Sequence, residues 1–204
     1  MSVYRTFRLE QKFGFNKMTV RIFIMDIIKN TTVGFLIGAP LLVFVLWIMN
    51  VSGTLWWLYV WMTWFGFSLF MMWAYPSFIA PLFNKFKPLD DGELKDRIEN
   101  LLTRNGFTCS GIFVMDGSTR STHGNAYFTG LGANKRIVFF DTLIDELSHD
   151  EIEAVLAHEL GHFKCNHIKK RMLIMGALSL AGLAILGWLI NLPWFYQGLG
   201  ISTP

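Results

Sequence analysis

The stretch AVLAHELGHFKCNHIKKR, residues 154–171, decides the fold of this 204-residue chain. It holds two histidines four positions apart, His158 and His162, which on an α-helix project from one face and can converge on one ion. Glu159 lies one position round the helix, where its carboxylate can take a proton from an activated water. The stretch therefore predicts half of a zinc site on a helix, and its basic end leads into an uncharged run.

The sequence before the histidines predicts where this helix begins. Ser148 and Glu151 form a capping box, and the acidic pair Asp150 and Glu151 favours the positive end of the helix dipole. Apolar residues then recur at helical spacing, at Ile152, Val155, Leu156 and Phe163. One face of the helix is therefore expected to be buried, with the histidines on or beside its edge.

Charge is absent from two long parts of the chain. No Asp, Glu, Lys or Arg stands between Lys29 and Lys85, or from Met172 onward. An ionised side chain at the bilayer centre costs several kcal/mol, and crossing the hydrocarbon takes about 20 residues. We therefore predict three transmembrane helices, over residues 32–51, 55–75 and 172–192. A transporter or channel is disfavoured, because these spans contain no ionised residue.

Basic residues flank the spans on one side. Residues 1–29 hold six Lys and Arg against two acids, and residues 168–171 read IKKR. The positive-inside rule therefore places the N-terminus and residues 85–171 in the cytoplasm. Basic residues in this position bind the surface of the lipid bilayer, so the net charge of +3 implies no nucleic-acid partner.

The segment 85–171 holds all five histidines and thirteen of the fifteen acids, so any chemistry is expected there. Its pattern predicts a helix from about Gly92 that ends at Asn105 and Gly106. The apolar runs GIFVM (111–115) and RIVFFDTLI (136–144) contribute to strands predicted near 111–115, 125–130 and 136–141. Cys109 and Cys165 are interpreted as packing residues in a reducing compartment, without a disulfide.

A catalytic zinc needs three protein ligands, and the residues leave the third open. His167 fails as the third ligand on geometry, because five residues beyond His162 it is turned about 140° away on the helix. Four upstream candidates remain, namely His123, His149, Asp141 and Asp145. His149 and Asp145 are better interpreted as capping and surface residues, and His123 as a solvated loop residue.

Four blocks in order resemble the M48 family of integral-membrane zinc peptidases, the Ste24-type or CAAX prenyl protease 1 group. They are EQKFGFNKMT, YPSFIAPLFNKFKPLDDGELK, VMDGSTRSTHGNAYFTGLGANKRIVFFDTLI and EIEAVLAHELGHFKCNH, spread over residues 8–170. The resemblance implies that His158 and His162 bind one Zn²⁺ ion and that Glu159 is the catalytic base. It also implies that an edge strand pairs with extended substrate, through Asn125, Ala126, Tyr127 and Phe128.

The implied fold is a mainly α membrane protein with a small α+β zincin-like (gluzincin) catalytic unit. The predicted parts are a cytoplasmic segment 1–29, a membrane hairpin 30–84, a partial zinc peptidase core 85–171, and a third membrane helix with tail 172–204. The implied function is a multi-pass zinc metalloendopeptidase of a bacterial inner membrane or a eukaryotic ER membrane. Its substrate is a peptide or protein, prenylated or membrane-associated in part of the family.

The chain departs from the family pattern in one respect. In the family the third ligand is a glutamate after a further membrane segment, followed by an aspartate and later a histidine that steadies the oxyanion. We therefore expect a chain truncated at both ends that lacks its third ligand. The alternative is a non-catalytic fragment or remnant membrane protein that keeps the fold without turnover.

Overall fold

The computed structural model of the chain describes residues 2–130, 135–164 and 167–200. Its helices are α1 (Ser2–Tyr4), α2 (Val20–Val51), α3 (Trp56–Ala74), α4 (Ala80–Phe83), α5 (Glu93–Arg104), α6 (Asp141–Glu146), α7 (His149–Lys164), α8 (His167–Leu189) and α9 (Pro193–Gly198). Its strands are β1 (Phe86–Pro88), β2 (Ile112–Met115), β3 (Ala126–Thr129) and β4 (Arg136–Phe140). The chain forms two compact units, Met1–Thr31 with Met71–Cys165 and Thr32–Phe70 with Asn166–Pro204.

Among the described residues, three helical segments are long and apolar enough to cross a membrane, namely α2, the segment Gly53–Phe83 that contains α3, and α8. This agrees with the three predicted spans. Helix α2 begins earlier than its span, at Val20, because a helix can continue into water through polar residues such as Arg21 and Lys29. Pro40 lies inside α2 without ending it.

The unit formed by residues 32–70 and 166–204 has a small interior. Ile48, Trp56 and Val60 form its buried cluster. The indole N–H of Trp61 donates to the carbonyl of Gly176 at 3.0 Å and thereby joins α3 to α8. Most apolar side chains of these helices remain exposed, as expected for helices whose surroundings are lipid.

The other unit contains a four-stranded sheet in the order β1-β2-β4-β3. β2 and β4 are parallel, and the other two pairs are antiparallel. The three predicted strands are therefore present. β1 was not predicted, because three residues that include Pro88 are too short to show an alternating pattern.

The apolar run 136–144 changes from strand to helix at Asp141, so its last residues are not the strand that their composition suggests. The carboxylate of Asp141 accepts the N–H of Thr142 and the N–H of Ser118, each at 2.8 Å. An acid in the first turn that satisfies free N–H groups favours helix over strand.

Helices α5 and α7 pack with the sheet around one buried cluster. Its members with the least exposed side chains are Ile98, Ile137, Phe139, Ile152 and Leu156, each 0% exposed. Cys109 packs at the edge of this cluster, as predicted for a packing residue. Cys165 and the side chain of Phe163 lie outside the described part of the chain.

One arginine links the two helices of this cluster. Arg97 on α5 donates to the carboxylate of Glu153 on α7 from Nε at 3.1 Å and from Nη2 at 2.8 Å. It also pairs with Asp150 at the start of α7. These ion pairs hold the first turns of the motif helix against α5.

Candidate metal centre

Helix α7 has one apolar face and one polar face. Ile152, Leu156 and Leu160 recur every four residues and are buried in the core. His158 and His162 are both exposed. Their ring centroids lie 4.8 Å apart with the ring planes at 89°, so the two imidazoles are neighbours on one face of the helix.

The surroundings of this histidine pair leave space for an ion. Glu159 is half-buried beside His158. A side chain at Gly161 would meet no atom within 4 Å. Two imidazoles with a neighbouring carboxylate are nitrogen and oxygen donors that Zn²⁺ accepts. The residues therefore fit a zinc ion, with His158 and His162 as two ligands.

The structure brings no third ligand to this pair within the part of the chain that it describes. There, no group of three His, Cys, Asp or Glu residues could hold a metal ion. His123 stacks on Phe15 with ring centroids 4.3 Å apart, and Asp141 bonds to Ser118 and Thr142. The remaining two upstream candidates, His149 and Asp145, are exposed at the start of α7 and on α6.

His167 is the first residue of α8, and residues 165 and 166 between it and α7 lie outside the described residues. The argument that turns His167 about 140° away from His162 therefore stays a prediction. His167 is among the described residues that yield no group of three potential ligands.

One half of the predicted capping box is present at the start of α7, namely the bond from the serine backbone to the glutamate carboxylate. The carboxylate of Glu151 accepts the backbone N–H of Ser148 at 2.8 Å and the Ser148 hydroxyl at 2.7 Å. These hydrogen bonds lower the pKa of Glu151 below its ordinary value. The negative charge at the first turn also complements the helix dipole.

Strand β3 is the last strand of the sheet and pairs with β4 alone among the described strands. No strand that the structure describes pairs with its other edge. Asn125 precedes β3, and its carbonyl accepts the N–H of Phe140 at 2.9 Å. Ala126 and Phe128 belong to the core cluster, whereas the hydroxyl of Tyr127 contacts the sulfur of Met115 at 3.9 Å. Burial raises the pKa of Tyr127.

The structure also shows a network that the sequence analysis missed. Arg120, in the loop before β3, forms two hydrogen bonds with Asp26 on α2, at 2.8 and 3.0 Å. The two residues are 94 positions apart. No local pattern in the sequence links residues so distant, so only the folded chain identifies them as partners.

Two family models match almost the whole chain. Residues 1–85 match the N-terminal part of CAAX prenyl proteases, described with five membrane helices. Residues 88–193 match peptidase family M48.

Individual proteins of the same group are also similar to this chain. CAAX prenyl protease 1 of Saccharomyces cerevisiae is 53% identical over 171 residues, which cover 82% of this chain and 37% of that protein. A CAAX prenyl protease 1 homolog from Dictyostelium discoideum is 44% identical over 204 residues, which cover 99% of this chain and 48% of the homolog. The crystal structure of S. mikatae Ste24p superimposes with a TM-score of 0.90 at 46% identity, covering 97% of this chain and 46% of that one.

The chain thus spans about half the length or less of these relatives. Over that length, the order of its sequence blocks, its apolar helices and its small mixed sheet all agree with theirs. The chain therefore belongs to peptidase family M48, in the group of the integral-membrane CAAX prenyl proteases of the Ste24 type.

Proposed function

We propose that this chain carries the catalytic base and two zinc ligands of a membrane-embedded zinc metalloendopeptidase. The observation that carries the proposal is the histidine pair of α7, whose exposed rings lie 4.8 Å apart beside Glu159. The helix that bears them rests on three buried side chains, which hold both imidazoles on the polar face.

The chemistry follows from the residue types. His158 and His162 would hold the zinc ion, which would supply the Lewis acidity that polarises a scissile carbonyl and acidifies water. Glu159 takes a proton from the attacking water and delivers it to the leaving amine. The open edge of β3 binds the substrate backbone in an extended form, along Asn125, Ala126, Tyr127 and Phe128.

The proposed substrate is a prenylated or membrane-associated peptide. Its support is the name of the relatives, CAAX prenyl protease, together with the three described helical segments that are suited to a bilayer. We further propose that the third zinc ligand comes from polypeptide outside these 204 residues, because the described residues hold no group of three ligands. The 204-residue chain alone is then expected to bind zinc weakly and to show negligible cleavage.

The decisive experiment uses the chain in two forms. The first is the purified 204-residue chain in detergent, titrated with zinc. The second is a chimaera in which this chain replaces the matching part of the Saccharomyces cerevisiae relative, assayed with a prenylated peptide. We expect the chimaera to cleave the peptide, Glu159→Gln to abolish cleavage while zinc still binds, and His158→Ala to weaken zinc binding in both forms.

Two results would contradict this proposal. Cleavage by the chimaera that survives Glu159→Gln would remove Glu159 from its role as base. Robust cleavage by the 204-residue chain, abolished by Glu159→Gln, would place a third ligand within these residues. The non-catalytic alternative predicts a folded chimaera that binds zinc and never cleaves.

We also propose that the motif lies on the cytoplasmic side of the membrane. The support is the excess of Lys and Arg in residues 1–29 and at 168–171. The test uses a chain with Cys109 and Cys165 replaced by serine and one new cysteine at an exposed position, from Asp145→Cys or Gln197→Cys. A membrane-impermeant label outside intact cells should reach position 197 and miss position 145, and the reverse pattern would refute the assignment.

A further inference from the structure

The loop between β2 and β3 leads directly into β3, the last strand of the sheet. Its residues 116–125 are held by several other segments. The backbone N–H of Lys85 donates to the carboxylate of Asp116 at 2.8 Å, and the N–H of Asp116 donates to the carbonyl of Lys85 at 3.2 Å. The hydroxyl of Thr142 donates to the carbonyl of His123 at 3.0 Å. The position of the loop is therefore set by its contacts and not by its own sequence alone.

The N-terminal segment adds a short antiparallel contact to the same loop. The N–H of Thr122 donates to the carbonyl of Phe15 at 3.1 Å, and the N–H of Lys17 donates to the carbonyl of Arg120 at 3.2 Å. The ring of Phe15 also stacks on His123. Residues 15–17 thus run beside the loop just before it enters β3.

Arg120 is the centre of this arrangement. Its Nε and Nη2 bond both carboxylate oxygens of Asp26. Its Nη1 donates to the side-chain oxygen of Asn84 at 2.9 Å, and Nη2 also donates to the carbonyl of Phe83 at 2.7 Å. The two charged side chains are largely buried, at 23% exposed for Arg120 and 17% for Asp26. Only the planar fork of arginine can serve these acceptors together.

These partners come from separate parts of the chain. Asp26 stands on α2, in the polar part that precedes the uncharged run. Phe83 is the last residue of the second apolar segment, and Asn84 follows it. One guanidinium therefore ties the near ends of two membrane-suited segments to the loop that leads into β3. A shift of about 1 Å at a site can change reactivity strongly. The hydrogen bonds of this guanidinium therefore affect the position in which β3 binds a peptide.

We infer that Arg120, through its pair with Asp26, is a positioning residue that sets the peptide-binding geometry of β3. The inference rests on the proposed function, in which β3 binds the substrate backbone. Arg120 touches neither the histidine pair nor the proposed peptide edge in any hydrogen bond of the described residues. Its removal should therefore weaken peptide binding and leave zinc binding unchanged.

The test measures two properties of the full 204-residue chain in detergent. Zinc affinity is obtained by titration with the metal alone. Peptide binding at β3 is obtained from a short extended peptide that carries a photo-activatable benzoylphenylalanine, with the cross-linked residues mapped by mass spectrometry. We expect Arg120→Ala to weaken peptide binding about tenfold, since loss of a supporting partner commonly costs 10- to 100-fold at a site. Zinc affinity should stay within about twofold.

Three further variants keep the inference open to refutation if Arg120→Ala does not fold. Arg120→Lys keeps the charge without the fork and should give a smaller loss. Asp26→Asn keeps the size of the partner without its charge and should also weaken peptide binding. Arg97→Ala is the matched control, because it breaks another half-buried arginine ion pair of the same unit. It should lower thermal stability and leave cross-linking at β3 unchanged.

The outcomes separate this inference from the function on which it rests. A wild-type chain that never cross-links at β3 overturns the proposed peptide edge and this inference together. Cross-linking that wild type shows and that Arg120→Ala, Arg120→Lys and Asp26→Asn all retain overturns this inference alone. Equal losses in Arg97→Ala, or parallel losses of zinc and peptide binding, would show a general effect on folding and refute a positioning role.

Discussion

Replacing Leu156 by alanine tests whether the histidine pair depends on the apolar face beneath it. Leu156 is 0% exposed and belongs to the core cluster shared by α7 and the sheet. The three carbon atoms lost are worth about 2.4 kcal/mol of transfer free energy. The cavity left behind adds to this, so Leu156→Ala should reduce the free energy of unfolding by about 3 kcal/mol.

The assay is thermal unfolding of the purified chain in detergent, followed by circular dichroism. For a protein of this size, about 3 kcal/mol corresponds to a fall in Tm of about 6–12 °C. The matched control is Ala157→Ser, one position along the same helix on its exposed face. It removes no buried contact and should cost only about 0.5 kcal/mol through helix propensity.

Below its Tm the Leu156→Ala protein should still bind zinc, because both imidazoles stand on the opposite, exposed face of α7. A Tm equal to that of Ala157→Ser would refute the packing argument. It would show that the face of α7 formed by Ile152, Leu156 and Leu160 does not carry the stability of this unit.

Two further predictions concern α8 and the helix cap. Gly187→Ala places a Cβ atom 2.5 Å from the ring of Trp57, so it should destabilise the chain by about 1–3 kcal/mol. Gly182→Ala on the same helix meets nothing within 4 Å and should keep or raise the melting temperature, because alanine favours a helix over glycine. Equal melting temperatures for the two variants would contradict this packing. The lowered pKa of Glu151 means that its bond to Ser148 stabilises the fold above the ordinary glutamate pKa and is lost as pH falls through the lowered value. Thermal melts between pH 6 and about pH 3 should therefore show a shallower decline for Glu151→Gln than for wild type, and parallel curves would count against the cap.

Much of the candidate site could be predicted because its signals are local. The spacing of His158, Glu159 and His162 determines which side chains share a helix face, and a four-residue step always brings them together. The cap at Ser148 and Glu151 likewise involves neighbours in sequence. The spans were equally predictable, since the cost of a charge in hydrocarbon depends on composition alone.

Local sequence patterns did not predict features that depend on contacts between distant segments. The strand β4 ends at Phe140 and α6 begins at Asp141, whose carboxylate accepts a hydrogen bond from Ser118, which is distant in sequence. β1 exists only because β2 offers it a partner.

The sequence by itself determined the apolar helices, the strands β2, β3 and β4, and the face of α7 that bears the histidines, because hydrophobic periodicity and helix caps act over a few residues. Only the tertiary structure decided that β3 lies at the edge of the sheet and that Arg120 meets Asp26. Strand order and ion pairs between distant residues depend on which surfaces meet when the chain closes its loops. The strand order and the distant ion pairs are those that minimise the free energy of the whole fold, so no short stretch of sequence predicts them.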